Sequence, residues 1–330
     1  MMSSGVEGAQ DLDRVRSDYR KLRAGLGEVL VGQDDVLDLA LAAIIGGGHV
    51  LLEGPPGVGK TLLGRALAAL IETDYRRIQF TADLMPADII GTYVIMESGG
   101  RRRFEFQQGP LFTNLLLADE INRATPKTQA ALFEALDERA VSVANERYPL
   151  PVPFIAIATQ SLGDIEGTFP VPETQLDRFF FHLIMPQPEG EALETILQRS
   201  TAAEDAPLDR VVGRDRLADM MQTARAVAVA PDVLRLVSRL VTATHPQHAS
   251  SPEAARRFVL RGASPRAGQA MLLSGRVLAL ADGRDQVSPQ DIRRAALPAL
   301  RHRLLLNFEG HAEEAGVDGI LADVLDAVTS

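Results

Sequence analysis

The chain contains no cysteine. Disulfides, thiolate catalysis and cysteine-ligated zinc are thereby excluded, and the composition is compatible with the expected cytoplasmic location. No apolar run is long and unbroken enough to cross a bilayer. The longest, Val36 to Leu52, contains Asp38, Gly46, Gly47, Gly48 and His49, and reads as helix, turn and strand. Met1 to Gln10 is polar and lacks the apolar core of a secretory signal. Low-complexity tracts and repeats of solenoid period are also missing. Positive charge is in deficit: 34 lysines and arginines stand against 44 aspartates and glutamates, a formal net charge of −10. That balance argues against a dominant electrostatic grip on nucleic acid.

What the chain does have is 330 residues, 46% of them hydrophobic and 24% charged. This is ordinary for a soluble globular protein and long enough for two domains. Its most informative segment is Gly54-Pro55-Pro56-Gly57-Val58-Gly59-Lys60-Thr61, a complete G-x-x-x-x-G-K-[ST] phosphate-binding loop. The apolar segment His49–Glu53 before it reads as a buried strand, and the run from Leu62 to Leu70 after it is rich in helix formers. A chance glycine-rich turn would not carry both flanks. Strand, turn and helix N-terminus together aim backbone N–H groups at an anion. Lys60 would reach the terminal phosphates of a nucleotide, and the Thr61 hydroxyl would ligate Mg²⁺.

A second motif supports the first. Leu115-Leu116-Leu117-Ala118-Asp119-Glu120 is an apolar run ending in two carboxylates, as expected of a buried strand in a parallel sheet. Ligands of such sheets gather at the strands' carboxyl ends. Alone, the pair could be a solvated acidic turn. Beside the phosphate loop, Asp119 suits the Mg²⁺ side and Glu120 the polarisation of an attacking water.

The pattern divides the chain into an α/β half and a helical half, with expected bounds of 1–20 for a flexible N-terminal segment, 21–187 for the nucleotide-binding domain and 188–330 for a helical linker and lid. Strand candidates are His49–Glu53, Arg77–Phe80, Leu115–Asp119, Pro153–Thr159 and Phe179–Ile184, mostly separated by helical pattern, which implies a parallel sheet with right-handed crossovers. Two hairpins interrupt it. One pairs Thr92–Met96 with Arg103–Phe106; the other pairs Ala140–Val143 with Arg147–Leu150 across a turn near Asn145 and Glu146. Arg101-Arg102-Arg103, at the first hairpin's tip, reads as a solvated loop, with contact to a polymer or anionic surface as the alternative. After Glu189 no strand is expected. Ser251-Pro252, Ser264-Pro265 and Ser288-Pro289 each read as an N-cap with proline in the first turn. Ser288 and Asp291 resemble a capping box, and Gly262 and Gly283 suit helix ends.

These motifs resemble the MoxR family of AAA+ ATPases. The resemblance is carried by the loop, Leu115–Ala124, Pro126-Lys127-Thr128-Gln129, Pro172–Phe179, Ser264-Pro265-Arg266-Ala267 and Leu300–Asn307, and it extends over nearly everything from about Gly25 to Asn307. It implies a P-loop NTPase sheet flanked by helices, an insert in helix 2, a hairpin before sensor 1, and a small all-helical lid. It also implies that Gly32 and Gln33 lie near the adenine, with Leu62 following the loop. Arg178 would be the arginine finger and Arg266 the sensor 2 arginine. Family members form rings, typically hexamers, act as chaperone-like remodellers of protein clients, and often work beside proteins with a von Willebrand factor A domain. ATP or ADP with Mg²⁺ is the implied cofactor.

From the residues alone, Arg178 could instead be a surface ion pair with Asp177 or Glu173. Arg266, a cation in the first turn of a helix, is unfavourable against the helix dipole unless an anion faces it. One position departs from the family pattern. Where the family has Ala-Thr-Gln-Asn-Pro, this chain has Ala158-Thr159-Gln160-Ser161-Leu162. Ser161 reaches less far than asparagine, which bears on hydrolysis and leaves nucleotide binding intact. A nucleotide-binding scaffold with weak hydrolysis is therefore one alternative reading, and a nucleic-acid motor is a weaker one.

Overall fold

A computed structural model describes residues 3–98, 101–161, 167–200 and 208–329. Helix α1 (Ser3–Val29) leads into α2 (Asp34–Ile45), strand β1 (His49–Gly54) and α3 (Lys60–Leu70). Then come β2 (Tyr75–Gln79), the hairpin β3 (Gly91–Ser98) and β4 (Arg101–Gln108), β5 (Leu115–Asp119) and α4 (Pro126–Glu138). The second hairpin, β6 (Ala140–Val143) with β7 (Glu146–Pro149), precedes β8 (Ile155–Ser161) and β9 (Phe179–Ile184). Five strands form one sheet in the order β9-β1-β8-β5-β2, all of its pairings parallel. The central strands are apolar because helices cover both faces: every residue of β5 is buried, and so are Val50, Leu51 and Leu52 of β1. β2 lies at one edge, so Arg76, Arg77 and Gln79 reach solvent while Ile78 points inward.

His49 fixes the start of β1. Its Nδ1 accepts from the Ala156 N–H at 3.0 Å, so the proton sits on Nε2, which donates to the Leu136 carbonyl at 3.2 Å. Burial is the main cause that pushes its pKa down to about 4, with Arg139 adding to it, and the ring stays neutral. Both hairpins stand outside the sheet as two-stranded ribbons. The second turns at Ala144 and Asn145, both with positive φ; such a pair suits the mirror-image turns of tight hairpins. The first is longer than its alternation indicates, and Ile95 and Phe104, opposite each other on it, are exposed. Arg102 and Arg103 sit loosely beside Glu97 and Glu105, at 3.6 and 3.7 Å, and the Arg101 side chain lies outside the described residues.

The N-terminal segment is a correction. Where a flexible segment is expected over 1–20, α1 runs from Ser3, and Val15, Tyr19, Leu22 and Leu26 are buried in the main core. Their four-three-four spacing is one helix face, hidden in the sequence by the charged residues between them.

The helical half contains α5 (Pro231–Ala243), α6 (Pro265–Ala281), α7 (Pro289–Leu300) and α8 (Val317–Thr329), with shorter helices between. Ser264 caps α6, and Ser288 forms the capping box with Asp291. Ser251 caps nothing, because the helix there starts at Glu253 behind Pro252. Gly283, with φ +86, follows the end of α6 as expected, whereas Gly262 follows the short strand Val259–Arg261. A Cβ on Gly262 would lie 2.5 Å from the Thr244 hydroxyl, so close approach explains this glycine. Strands do not stop at Glu189: three short pairings involve Val212–Gly213, Ala228–Val229 and Val259–Arg261.

The helical half is bolted to the sheet edge. Among the described residues β9 pairs on one side only, leaving backbone carbonyls to satisfy on the other. The 3₁₀ turn Arg301–Arg303 supplies the donors. Arg301 donates to the His182 carbonyl at 3.0 Å, and His302 to that of Phe179 at 3.1 Å. Arg303 donates to the carbonyls of Phe179, Phe180 and Asp177 and, at 2.7 Å, to the Asp177 carboxylate. The Arg303 side chain is 2% exposed, so its removal takes the side-chain donor from the Phe180 and Asp177 carbonyls and the facing cation from the Asp177 carboxylate, which keeps only the Ser264 hydroxyl. Arg303→Ala is expected to lower folding stability by about 3–5 kcal/mol in urea denaturation; an unchanged midpoint would show that this clamp is not closed in solution.

Candidate functional site

The phosphate loop lies between β1 and α3, at the carboxyl end of the sheet. Gly57 and Gly59 have φ of +84 and +102, in the left-handed region that glycine enters without a Cβ clash. The turn they allow aims the N-terminus of α3 at a cavity of about 470 Å³. Gly57, Gly59, Lys60, Thr61, Leu62, Asp119 and Glu120 line it. The two sequence motifs thus meet in one cleft. Lys60 is buried, and its ammonium donates to the carbonyls of Gly54 and Pro55 at 2.6 and 2.8 Å. Burial pushes its pKa down, and the Asp119, Glu120 and Glu53 carboxylates pull it back up.

Asp119 ends β5 with a side chain 6% exposed, and its oxygens are fully engaged. Oδ1 accepts from the Thr159 hydroxyl at 2.6 Å. Oδ2 accepts from Thr61 at 3.1 Å and from the Arg77 guanidinium at 2.7 and 3.2 Å. Glu120 follows in the left-handed region, φ 58 and ψ 52, a strained conformation for a non-glycine residue. Its N–H is held by the Thr159 hydroxyl at 2.9 Å. Its carboxylate accepts from Gln79 at 2.9 Å and Arg123 at 3.2 Å. Arg77, Gln79, Arg123 and Thr159 were not singled out in the sequence. Position gives the signal for Thr159, near the carboxyl end of the strand beside β5. The period-two spacing of Arg77 and Gln79 on an edge strand puts both on the face turned to the carboxylates.

Gly32 and Gln33 lie beside the same end of the sheet. Leu30 would be 2.8 Å from a Cβ on Gly59, and Gln33 donates to the Pro186 carbonyl at 2.9 Å. The Gln33 side chain is buried and its Oε1 has no partner among the described residues. Pro55, Pro56 and Val58 complete the loop, with Val58 buried. The backbone of Ser161 pairs with Gly54, while its side chain lies outside the described residues.

The two arginines assigned to phosphate chemistry are elsewhere. Arg178 immediately precedes β9, whose first residue is level with His49, the first residue of β1. It is therefore at the sheet's amino end, roughly 16 Å along β1 from Gly54. Arg266 is there too, across the Asp137 carboxylate: Arg266 donates to Oδ1 at 2.7 Å and Arg178 lies 3.6 Å from Oδ2. Arg178 also donates to the Thr174 carbonyl at 2.9 Å, and its Nε is buried without a partner. The pairing with Asp177 or Glu173 considered above is not made. Both arginines line a cavity of about 240 Å³ with Gly47, His49, Asp137 and Arg303. The structure does not bring Arg266 to the phosphate loop of its own chain.

The site's oxygen donors fit a nucleotide with Mg²⁺. A hydroxyl and a carboxylate at 3.1 Å match a hard ion that takes few protein ligands and completes its shell with phosphate and water. Thr159 is the structural pin, since one hydroxyl serves both acidic residues. Thr159→Val is expected to cost about 1–3 kcal/mol of stability, read from the urea midpoint; no loss would mean that neither bond persists in solution.

Comparison with known proteins agrees with this architecture. Residues 49–181 match the ATPase family associated with various cellular activities (AAA), and residues 253–323 match the AAA lid domain. "Chaperone MoxR1" of Mycobacterium tuberculosis is 38% identical over 91% of this chain and 79% of its own length. "Uncharacterized protein YeaC" of Bacillus subtilis is 38% identical over 92% of each chain. "Protein MoxR" of Methylorubrum extorquens is 31% identical over 89% of this chain and 90% of its own. A solved structure from Cytophaga hutchinsonii superposes with a TM-score of 0.89 at 34% identity, over 99% of this chain and 98% of that one. With its phosphate loop, its paired carboxylates and its lid in that arrangement, this chain belongs to the MoxR family of AAA+ ATPases.

Proposed function

We propose that this protein hydrolyses ATP to ADP and phosphate with Mg²⁺, works as a homo-oligomeric ring, and couples turnover to chaperone-like remodelling of a protein partner. The observation that carries the reading is the meeting of Lys60, Thr61, Asp119 and Glu120 on one cavity at the carboxyl ends of parallel strands. Lys60 and the loop N–H groups bind the phosphates, exchanging the Gly54 and Pro55 carbonyls for phosphate oxygens. Thr61 and Asp119 would hold Mg²⁺, which would supply charge neutralisation at the phosphates. Glu120 orients and polarises the attacking water. The unpartnered Oε1 of Gln33 is an acceptor suited to the amino group of adenine.

Arg178 and Arg266 act on a neighbour's nucleotide. Their distance from their own phosphate loop favours this, and so do their common cavity and the unsatisfied Nε of Arg178. A ring, hexameric by family analogy, brings the two ends of successive subunits together. A partner containing a von Willebrand factor A domain is the favoured client class by the same analogy. No helix among the described residues is long and apolar enough to cross a membrane.

A second reading, a nucleotide-bound scaffold with slow turnover, rests on Ser161 standing where the family has asparagine. Steady-state ATPase measurement separates the two. In the first reading Glu120→Gln leaves Mg·ATP binding nearly intact and stops turnover, because an amide cannot accept the proton. Turnover at the wild-type rate in this variant, with calorimetry showing normal ATP affinity, would remove Glu120 from that role.

A further inference from the structure

Arg77 lies outside the roles proposed so far, yet it is the cation that the structure sets against Asp119. Its guanidinium meets Oδ2 through Nη2 at 2.7 Å and Nε at 3.2 Å. The Thr61 hydroxyl points at the same oxygen from 3.1 Å. An ion held by Thr61 and Asp119 would therefore meet a positive charge already seated on the oxygen it needs. Arg77 has room to leave: it extends from the edge strand β2, its side chain is 38% exposed, and it lines the open cavity. Asp119 has none, being buried and pinned by Thr159.

Leaving would have a consequence two residues away. Arg77 Nη2 also donates to Gln79 Oε1 at 2.7 Å, and that contact sets which way the Gln79 amide faces. Turned so, Gln79 Nε2 donates to Glu120 Oε2 at 2.9 Å and holds the carboxylate to the side. Asp119, Arg77, Gln79 and Glu120 make one continuous run of contacts along the wall of the cavity.

We propose that Arg77 is a displaceable counter-ion of Asp119. It neutralises the carboxylate before metal arrives, competes with the metal for Oδ2, and on leaving removes the contact that orients Gln79, one of the two side chains, with Arg123, that hold Glu120. Arg77 is a positioning residue in this scheme. The inference rests on the nucleotide reading above and adds a cost to metal binding that the motifs alone do not contain. Two cations drawn to one carboxylate oxygen repel, so removing one strengthens the hold on the other.

The test is a Mn²⁺ titration followed by electron paramagnetic resonance, at saturating ADP, on the full chain. Arg77→Met keeps the length of the side chain and removes its charge. It is expected to lower the half-saturating Mn²⁺ concentration about two- to fivefold, the scale of a partly exposed ion pair. Arg77→Lys keeps the charge without the fork and should give a smaller fall. An unchanged or raised half-saturation in Arg77→Met overturns the proposal; if that variant does not fold, the same outcome in Arg77→Lys does so. Failure of the wild-type protein to bind ADP at all would remove the nucleotide reading, and this inference with it. ADP binding with a metal curve indifferent to Arg77 would remove the inference alone.

Discussion

A parallel sheet has two unlike ends, and the distribution of chemistry in this chain follows from that. All strands deliver their carboxyl termini to one side, where the phosphate loop, Asp119 and Glu120 collect. The residue before β9 is by the same geometry sent to the other side, and Arg178 goes with it. Arg266 reaches that far end from the lid, and Asp137 is the carboxylate on which both arginines rest. The chain thus carries paired carboxylates at one end and a basic pair at the other. Neither end holds a complete phosphoryl-transfer site. In the proposed ring, stacking one end on the next would supply what each lacks.

The lid enters this scheme as part of the arginine end. Asp177 accepts from Ser264 at the start of α6 and from the buried Arg303. Arg178 is its neighbour in the chain and Arg266 follows Ser264 by two residues. The bonds that fasten the helical half to the sheet edge therefore also set the spacing of the two arginines. A shift of the lid would move one relative to the other and, in the proposed ring, change what a neighbouring subunit meets. At the opposite end, Thr159 plays the comparable part by holding Asp119 and the Glu120 N–H with one hydroxyl.

Much of this was legible from residues alone. The phosphate loop and the Leu115–Glu120 run carry their meaning locally: glycine conformations, apolar continuity and the order of strand, turn and helix are all short-range. The sheet and both hairpins followed from the same signals. What stayed hidden depends on distance in sequence. Arg303 and Asp177 are 126 positions apart, and nothing in either segment announces the other. Arg77 and Gln79 fall inside a strand candidate, and only pairing with β5 sets them beside two carboxylates. In α1, charged residues masked an apolar stripe whose burial needs α2, α3 and the lid. Gly262 serves a close approach to Thr244, which leaves no trace in local pattern.

The central claim is that the arginine end of one subunit serves the phosphate loop of the next. Mixing two inactive variants tests it most directly. Lys60→Ala destroys the loop and keeps the arginines; Arg178→Ala keeps the loop and loses the finger. Each alone should hydrolyse ATP slowly or not at all. Co-assembled in equal amounts, they should recover part of the wild-type rate, because some interfaces pair an intact loop with an intact Arg178. A mixture no more active than the sum of its parts, in assemblies verified to contain both variants, would contradict the account.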